Sequence, residues 1–455
     1  MDRRVEWSSY VRGTAMGTLS LGTSRAPFTN VLLPGSGERL LRRLFYYQAK
    51  RLGRLSPDRI KERVGLRLSR WLQPPIDHNQ LILRPCGILG RAGPRLTESQ
   101  RAIIASIIDR QRTLWTAGGI PPPREMNVYA TATGSVPKSV AIVMPRFINC
   151  DSGNIDHDIA YNVACSAEAA GARLSCFDAG AITYRGTGGL RAEIDRLKAF
   201  LSVNRPEIVA FDGNFVPNGR TIDADLILEL KREFGFKFLS IIGDCYDTTY
   251  SDCLGYWHRA ADLSVIFHRN SRYFRALKDK TRVMVCPTIP IYAEGFSDAH
   301  HRDIDIGYCG GDRRQRRTYM AALADAGLKT ECKFINRLRG ESYSREEYND
   351  LLGRSKLAFN NGWIRNGESI MTGRIGEVLT SGALLIEEDG SAINDYLVPF
   401  VHYVPVANVA QFVCFSQFLA ENDEVRSAIA RDGQAFWREH YSGDRFWQAV
   451  AQRCA

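Results

Sequence analysis

The sequence predicts an α/β protein in which two doubly wound parallel sheets follow one another behind a basic, mainly helical extension. Short apolar segments alternate with amphipathic helical segments from residue 139 onward, which is the pattern of βαβ units. One linker, residues 287–303 (PTIPIYAEGFSDAHHRD), interrupts this alternation. The predicted parts are the extension (1–135), a first domain (136–290), a second domain (300–440) and a C-terminal helix (441–455).

The basic charge belongs to the beginning of the chain. Residues 1–75 hold fifteen Lys and Arg against five Asp and Glu, so residues 76–455 carry 45 of each sign and the net charge of +10 is local. We therefore predict a local anionic partner and no nucleic-acid-binding surface. Residues 37–72 place Leu, Phe and Trp at helical spacing between arginines, with a break at Ser56–Pro57. Such a hairpin either lies on an anionic membrane surface or packs on the body with its arginines in solvent.

The helix that ends the extension and the first sheet follow from local patterns. Thr97 and Gln100 have the spacing of a capping box, which predicts a helix from there to about Trp115. Apolar strands are predicted at 139–144, 173–177, 207–211, 237–242, 263–267 and 282–286. Helices are predicted between them at roughly 156–171, 188–203, 222–234, 251–261 and 270–278. This set makes one complete Rossmann-like sheet.

A second alternation follows the linker. Strands are predicted at 304–308, 331–335, 356–360 and 383–387. Helices are predicted as one ending at Ala326, then 344–353, 373–381, and near 408–419, 422–437 and 443–453. The chain is thus predicted to hold two tandem Rossmann-like domains, with a cleft between the carboxyl ends of both sheets where ligands of such folds bind.

Composition and motifs exclude several classes. No segment approaches the ~18–20 uninterrupted apolar residues of a membrane span, and the first residues lack the apolar core of a secretory signal. The eleven cysteines are scattered and form no CxxC pair, which predicts reduced thiols in a cytoplasmic protein rather than disulfides or a zinc site. The motifs GxSxG, HExxH and the P-loop are absent.

The turn after the first strand of the second domain suits a diphosphate. Gly310 and Gly311 let backbone N–H groups approach an anion, and the following helix points its positive N-terminus at the same place. Arginines stand next in line, and one or two of them are expected to reach phosphate oxygens. These are Arg313, which enters the predicted site, and Arg314, Arg316 and Arg317. The alternative is a plain tight turn followed by a helix with solvated arginines.

The second half of the chain resembles a known family. Three segments carry the resemblance, in this order: EYNDLLGRSKLAFNN, GRIGEVLTSGALLIEED and LAENDEVRSAIARDGQAFWREHYSGDRF. They are similar to the C-terminal domain of GT-B glycosyltransferases of group 1, most closely the CgeB-type group. The resemblance is detailed over residues 304–450, extends only as an architecture over 139–290, and does not reach 1–135.

The resemblance implies further donor-site residues. Glu377 matches the glutamate that contacts the donor ribose, and Arg374, one turn earlier, would offset the diphosphate charge; the alternative is an ordinary i, i+3 ion pair. Many retaining members of the family have a second glutamate eight positions before the ribose-binding one. In this sequence that position is Ser369. Glu368 lies one position away, so the stereochemical outcome stays open. Asn361 is expected in the wall of the sugar site.

The first domain is expected to bind the acceptor and to supply a base if the reaction inverts. A carboxylate must lie within hydrogen-bonding reach of the acceptor hydroxyl. Asp244 is the first candidate, then Asp212 and Asp151, and each is also explained as a turn residue. Asp244 and Asp247 lack the Asp-x-Asp spacing of metal-dependent transferases, so no metal site is predicted.

The sequence therefore predicts a hexosyltransferase-like, metal-independent enzyme without a cofactor. It would move a sugar from a nucleotide-diphosphate sugar to a glycan or lipid-linked acceptor, in cell-surface or polysaccharide biosynthesis. The protein would be cytoplasmic, with residues 37–72 as a candidate for attachment to the inner face of the membrane. Two alternatives remain open: a non-catalytic binding protein of the same fold, and a nucleotide-sugar epimerase.

Overall fold

The computed structural model describes most of the chain after residue 94. It covers residues 95–117, 132–146, 158–183, 189–243, 251–267, 274, 276–293, 296, 301–335, 343–362, 370–389 and 392–455. The basic hairpin predicted at 37–72 lies outside the described residues. Within these ranges no helix is both long and apolar enough to cross a membrane.

The first domain is one parallel sheet of six strands in the order β2-β1-β3-β4-β5-β6. The strands are β1 Ser139–Met144, β2 Arg173–Asp178, β3 Ile208–Asp212, β4 Lys237–Ile242, β5 Leu263–Ile266 and β6 Val283–Val285. β1 and β3 are buried along their whole length and carry almost only apolar residues, as expected for strands covered by helices on both faces. The edge strand β2 is largely exposed.

The second domain repeats the plan with five parallel strands in the order β11-β10-β9-β7-β8. They are β7 Ile304–Gly311, β8 Thr330–Ile335, β9 Ser355–Asn360, β10 Leu384–Glu388 and β11 Val404–Val406. In both sheets the first strand lies between the second and the third, so the winding direction changes beside it. This topological switch point is where doubly wound sheets bind ligands. Here it lies between β7 and β9.

Helices cover both sheets. They are α1 Glu98–Ala117, α2 Asp158–Ala169, α3 Leu190–Asn204, α4 Ala224–Phe234, α5 Ser251–Trp257, α6 Arg314–Asp325, α7 Arg345–Arg354, α8 Gly373–Ser381, α9 Val409–Glu421, α10 Asp423–Tyr441 and α11 Gly443–Cys454. The capping box that was predicted before α1 is present, since the Gln100 N–H donates to Thr97 Oγ1 at 3.2 Å and the Thr97 N–H donates to Gln100 Oε1 at 2.9 Å. A second box, Ser344 with Glu347, begins α7.

The two ends of the described chain cross between the domains. α11 follows the second sheet but packs on α2 of the first domain, where Trp447 Nε1 donates to Ser166 Oγ at 3.1 Å. α1 precedes the first sheet but packs on the second domain, where Arg112 contacts Asp432 at 2.6 Å and Ile104 lies in the core of that domain. The partners of these two helices could not be read from local patterns, and the predicted boundaries at 135, 300 and 440 stay predictions.

Most of the other predicted strands and helices are found near the predicted positions. β1 and β4 have the predicted limits, and α8 spans the predicted 373–381. The helix predicted at 270–278 lies partly outside the described residues and stays a prediction. The structure also contains β11, a three-residue strand that the sequence analysis does not predict. A strand this short carries too little of the two-residue alternation to be recognised.

Candidate functional site

The site lies at the carboxyl ends of β7 and β9, at the switch point of the second sheet. Gly310 and Gly311 end β7, and Asn360 ends β9 with Asn361 directly after it. Gly310 is required here by space: a Cβ atom at this position would overlap the Arg374 guanidinium and lie 2.8 Å from the Tyr308 hydroxyl. The predicted residues Gly310, Gly311, Asn361 and Arg374 thus meet at one edge of the sheet.

Two buried arginines converge on this edge. The Arg374 Nη1 donates to Asn360 Oδ1 at 3.0 Å. Arg316 donates from Nη1 to the Gly311 carbonyl at 3.1 Å and from Nη2 to the Asn361 carbonyl at 3.2 Å. Their Cζ atoms lie 5.1 and 5.8 Å from the centre of the Tyr308 ring. In both side chains the buried Nε atom has no hydrogen-bond partner among the described residues.

The electrostatics of the two guanidinium groups favour an anion between them. Burial, together with the charges of Arg374 and Arg313, lowers the pKa of Arg316 to about 10. The group still carries its proton at neutral pH. For Arg374, burial opposes the charge, but Tyr308, Tyr348, Cys309 and Glu377 outweigh it and raise the pKa. Within the described ranges, neither arginine forms an ion pair with a carboxylate. The lowered pKa of Arg316 shows that its buried positive charge is unfavourable in this place, and an anion bound at this edge would relieve that cost.

The helix phase decides which arginine after the glycines faces inward. Arg313 is the exposed N-cap residue of α6. Arg317 is exposed on the same helix and forms a two-point ion pair with Asp312, at 2.6 and 2.7 Å. Arg316 is only 7% exposed, and its guanidinium group reaches the glycine turn, where it donates to the Gly311 carbonyl. The sequence analysis named all of these arginines but selected Arg313 for the site. The buried Arg316 is a further candidate, and the selection of Arg313 stays a prediction.

Glu377 lies in the interior of α8 and is 8% exposed. Its two carboxylate oxygens accept from the Tyr348 hydroxyl at 2.8 Å and from Arg345 Nη1 at 3.2 Å. Arg345 also donates to Asp158 Oδ1 at 2.6 Å, at the start of α2 in the first domain. Burial, and then the charge of Asp158, raise the pKa of Glu377. Each carboxylate oxygen keeps a second lone pair, so the group can still accept from a diol.

The sequence analysis missed a pair of glutamates behind the site. Glu387 and Glu388 end β10 and are 0% and 2% exposed. Asn360 Nδ2 donates to Glu387 Oε2 at 2.5 Å, and Asn361 Nδ2 donates to Glu388 Oε2 at 2.8 Å. Burial raises the pKa of Glu387 to about 7, while the donors from Asn360 and Gly362 oppose that rise. The signal was present in the sequence, since two acids end an apolar strand that is otherwise fully buried.

The predicted acceptor-side residues are only partly described. Asp212 ends β3 and is fully buried, and its Oδ1 accepts from the backbone N–H and from the side-chain amide of Asn214, at 3.0 and 2.7 Å. Asp151, Asp244 and Glu368 lie outside the described residues. The choice of base therefore stays a prediction. In the described part of the chain, His, Cys, Asp and Glu side chains form no group of three that could hold a metal ion.

Two parallel doubly wound sheets in tandem, with a cationic glycine turn at the switch point of the second, have the arrangement of the GT-B fold. Residues 311–452 match the family model described as glycosyl transferase-like. The match begins at Gly311 and contains Arg316, Arg374 and Glu377. It confirms the family resemblance that was inferred from the three sequence segments.

Solved structures show a general similarity to the chain. HepE of Anabaena in complex with UDP and glucose is 10% identical with a TM-score of 0.45, over 69% of this chain and 98% of that one. AviGT4, a glycosyltransferase involved in avilamycin A biosynthesis, is 13% identical with a TM-score of 0.46, over 70% and 97%. Sucrose-phosphate synthase of Thermosynechococcus elongatus is 11% identical with a TM-score of 0.45, over 69% and 98%. Among curated proteins, none matches the sequence.

Proposed function

We propose that the protein transfers a sugar from a nucleotide-diphosphate sugar to an acceptor hydroxyl. The observation that carries the proposal is the pair of buried guanidinium groups, Arg316 and Arg374, at the glycine turn of the glycosyl transferase-like domain. The diphosphate would lie at the turn formed by Gly310 and Gly311, next to the Arg374 guanidinium group, which packs against Gly310 where a Cβ would otherwise lie. Relatives of this general fold have been solved with UDP-glucose, which makes UDP the first nucleotide to try.

In this proposal the arginines stabilise the leaving group. Cleavage of the bond between the sugar and the diphosphate leaves negative charge on the phosphate oxygens, and fixed donors at that place lower the barrier. Arg316 is held by two carbonyl oxygens and Arg374 by Asn360, so little reorganisation is needed when the charge develops. We propose that these two residues supply the positive charge, with no metal ion required.

Glu377 is proposed to bind the ribose of the donor. Its carboxylate has lone pairs left after accepting from Tyr348 and Arg345, and it lies on the same helix as Arg374. Because Arg345 also contacts Asp158 of the first domain, ribose binding at Glu377 would be sensed by both domains. Asn361 is proposed to act through its backbone carbonyl, which accepts from Arg316. Glu368 and Arg313 remain candidates for outer contacts to the donor.

The test is binding of nucleoside diphosphates to site variants. The wild type is titrated calorimetrically with UDP, GDP, ADP and dTDP, and the tightest ligand is then measured with Arg316→Ala and Arg374→Ala. Loss of a hydrogen-bonded cation should weaken binding by roughly 10- to 100-fold in each variant. Arg317→Ala is the matched control, because it removes the same charge one residue further on, from a side chain paired to Asp312. Equal weakening in all three variants would contradict the proposed site.

Turnover separates the enzyme from its alternatives. The sugar nucleotide of the preferred base is incubated with the protein, and release of nucleoside diphosphate is followed with water or an added glycan as acceptor. A transferase releases it, an epimerase returns an isomeric sugar nucleotide, and a binding protein leaves the donor intact. Asp151→Asn, Asp212→Asn and Asp244→Asn are compared in the same assay. The variant that removes the catalytic base should release nucleoside diphosphate more slowly, while its affinity for nucleoside diphosphate stays unchanged.

The acceptor is proposed to be a glycan or a lipid-linked sugar in cell-surface or polysaccharide biosynthesis, presented at the inner face of a membrane. The support is the local basic charge of residues 1–75, which suits an anionic lipid surface. Flotation with vesicles containing phosphatidylglycerol tests this step. The full chain should float and a chain without residues 1–75 should remain at the bottom; equal behaviour of the two would refute membrane attachment through this segment.

A further inference from the structure

The register of β9 and β10 places a carboxylate behind Arg374. Asn360 and Glu387 are direct partners in this parallel pair, and partners in adjacent strands point to the same face of a sheet. α8 connects the two strands and carries Arg374, which contacts Asn360. Glu387, Asn360 and Arg374 therefore form a chain of three side chains from strand to strand to helix. Both strand residues are fully buried.

Two charged neighbours favour one orientation of the Asn360 amide. Its Nδ2 donates to Glu387 Oε2, while its Oδ1 accepts from Arg374 Nη1 and from the Thr372 hydroxyl, both at 3.0 Å. A flipped amide would turn its NH₂ group towards the guanidinium group and its oxygen towards the carboxylate, so the bonds to both charged groups would be lost. Glu387 is held in turn by the Gly362 N–H at 3.2 Å. The carboxylate thus fixes the direction in which the amide oxygen points.

Because Asn360 lies between Glu387 and Arg374, the Arg374 guanidinium group stays available for an anion. A direct ion pair between Glu387 and Arg374 would occupy two guanidinium N–H groups and neutralise the charge. In the observed arrangement Asn360 Oδ1 accepts from Nη1, and the described part of the chain offers no hydrogen-bond partner to the buried Nε. The same design recurs on the opposite face: Asn361 Nδ2 bonds Glu388, while the Asn361 carbonyl accepts from Arg316.

We propose that Asn360 and Glu387 are positioning residues for Arg374: Glu387 fixes the Asn360 amide, and the amide oxygen aims the guanidinium group at the diphosphate of the donor. This inference rests on the proposed function, because it names what holds one of the two diphosphate-binding arginines in place. Neither residue touches the ligand itself. Their effect on binding passes through Arg374.

A double-mutant cycle tests the coupling. The affinity for the tightest nucleoside diphosphate and for the matching nucleoside is measured by calorimetry in the wild type, Asn360→Ala, Arg374→Ala and the double variant. We expect Asn360→Ala to weaken nucleoside diphosphate binding about 10-fold, and Arg374→Ala by that amount or more. With Arg374 already removed, Asn360→Ala should change the affinity by less than about 2-fold. The nucleoside should bind all four proteins alike.

Glu387→Gln keeps the size of the side chain and serves if Asn360→Ala does not fold. Its matched control is Glu388→Gln, which makes the same change at the next position on the opposite face of the sheet. Glu387→Gln should be non-additive with Arg374→Ala, whereas Glu388→Gln should be additive with it. Thermal melting of each variant confirms that the measured proteins are folded.

The outcomes separate this inference from the function on which it rests. If Arg374→Ala weakens nucleoside diphosphate binding but Asn360→Ala weakens it equally in both backgrounds, the positioning role is refuted and the proposed function stands. Equal loss of affinity for the nucleoside and the nucleoside diphosphate refutes the role as well, because it shows a general structural effect. If the wild type binds no nucleoside diphosphate, the proposed function fails and the positioning role fails with it.

Discussion

Replacing Glu387 with glutamine should change how the stability of the protein depends on pH. The Glu387 carboxyl group is fully buried and its pKa is raised from 4.5 to about 7 by burial. Between these two values the folded protein holds a proton on Glu387 that the unfolded chain has released. Stability therefore falls as the pH rises through this window, and the loss is complete above about pH 7. Glu387→Gln removes the titrating group and with it this loss.

The magnitude follows from the size of the pKa shift. A rise from 4.5 to about 7 corresponds to roughly 3 kcal/mol, at about 1.4 kcal/mol for each pKa unit. The free energy of unfolding of Glu387→Gln minus that of the wild type should thus increase by about this amount between pH 4.5 and pH 8. The altered hydrogen bonds to Asn360 and Gly362 add an offset that does not depend on pH, so the change with pH is the quantity to compare.

The assay is urea unfolding of both proteins at pH 4.5, 5.5, 6.5, 7.5 and 8.5, followed by tryptophan fluorescence. Glu388→Gln, measured alongside, reports what the loss of a neighbouring buried carboxylate does to the same curve. A difference between Glu387→Gln and wild type that stays constant from pH 4.5 to 8.5 would refute the reasoning, since it would mean that Glu387 titrates alike in the folded and unfolded chains.

Three further perturbations have outcomes that the structure fixes in sign. With His402→Asn, the free energy of unfolding measured in urea should fall less steeply below pH 6.5 than in the wild type. The reason is that burial lowers the pKa of His402 to about 3, so the folded protein favours the neutral ring. An unchanged pH dependence below pH 6.5 would contradict this. Gly310→Ala should weaken nucleoside diphosphate binding about 10-fold by calorimetry, because its Cβ displaces the Arg374 guanidinium group; unaltered affinity would contradict it. Trp447→Ala should cost about 3–5 kcal/mol in urea unfolding, because this side chain is fully buried between α11 and the first domain and bonds Ser166; a loss below about 1 kcal/mol would show that α11 contributes little.

The sequence was sufficient for the sheets and insufficient for what joins them. Buried parallel strands such as Ser139–Met144 are continuous apolar segments, and their limits are visible because the flanking turns are polar. The crossing of α11 to the first domain depends on the fit of Trp447 beside Ser166, two residues that are 281 positions apart. No local pattern records such a contact, so the sequence analysis left the helix without a partner.

At the site, the sequence was sufficient for the residues whose place is set by the backbone, but it did not single out Arg316, whose place depends on the packing of α6. Gly310, Gly311 and Arg374 follow from strand ends and from the family resemblance, and the structure brings them together. The selection of Arg313 over Arg316 depended on the phase of α6, which is set by how the helix packs on the sheet rather than by the run of arginines itself.

The two glutamates behind the site, Glu387 and Glu388, have to be considered together with the two arginines in front of them. One asparagine separates each of the carboxylates of Glu387 and Glu388 from an arginine. If a carboxylate contacted the arginine directly, it would neutralise the charge that an anion needs. Asn360 and Asn361 prevent this, because an amide donates to the carboxylate with one end and an oxygen of the same residue accepts from the guanidinium. The arginines are held in place, and no carboxylate of the described residues bonds to their remaining donors. Two neighbouring asparagines at a strand end, paired with two neighbouring acids on the next strand, are therefore a pattern that predicts oriented cations at that edge.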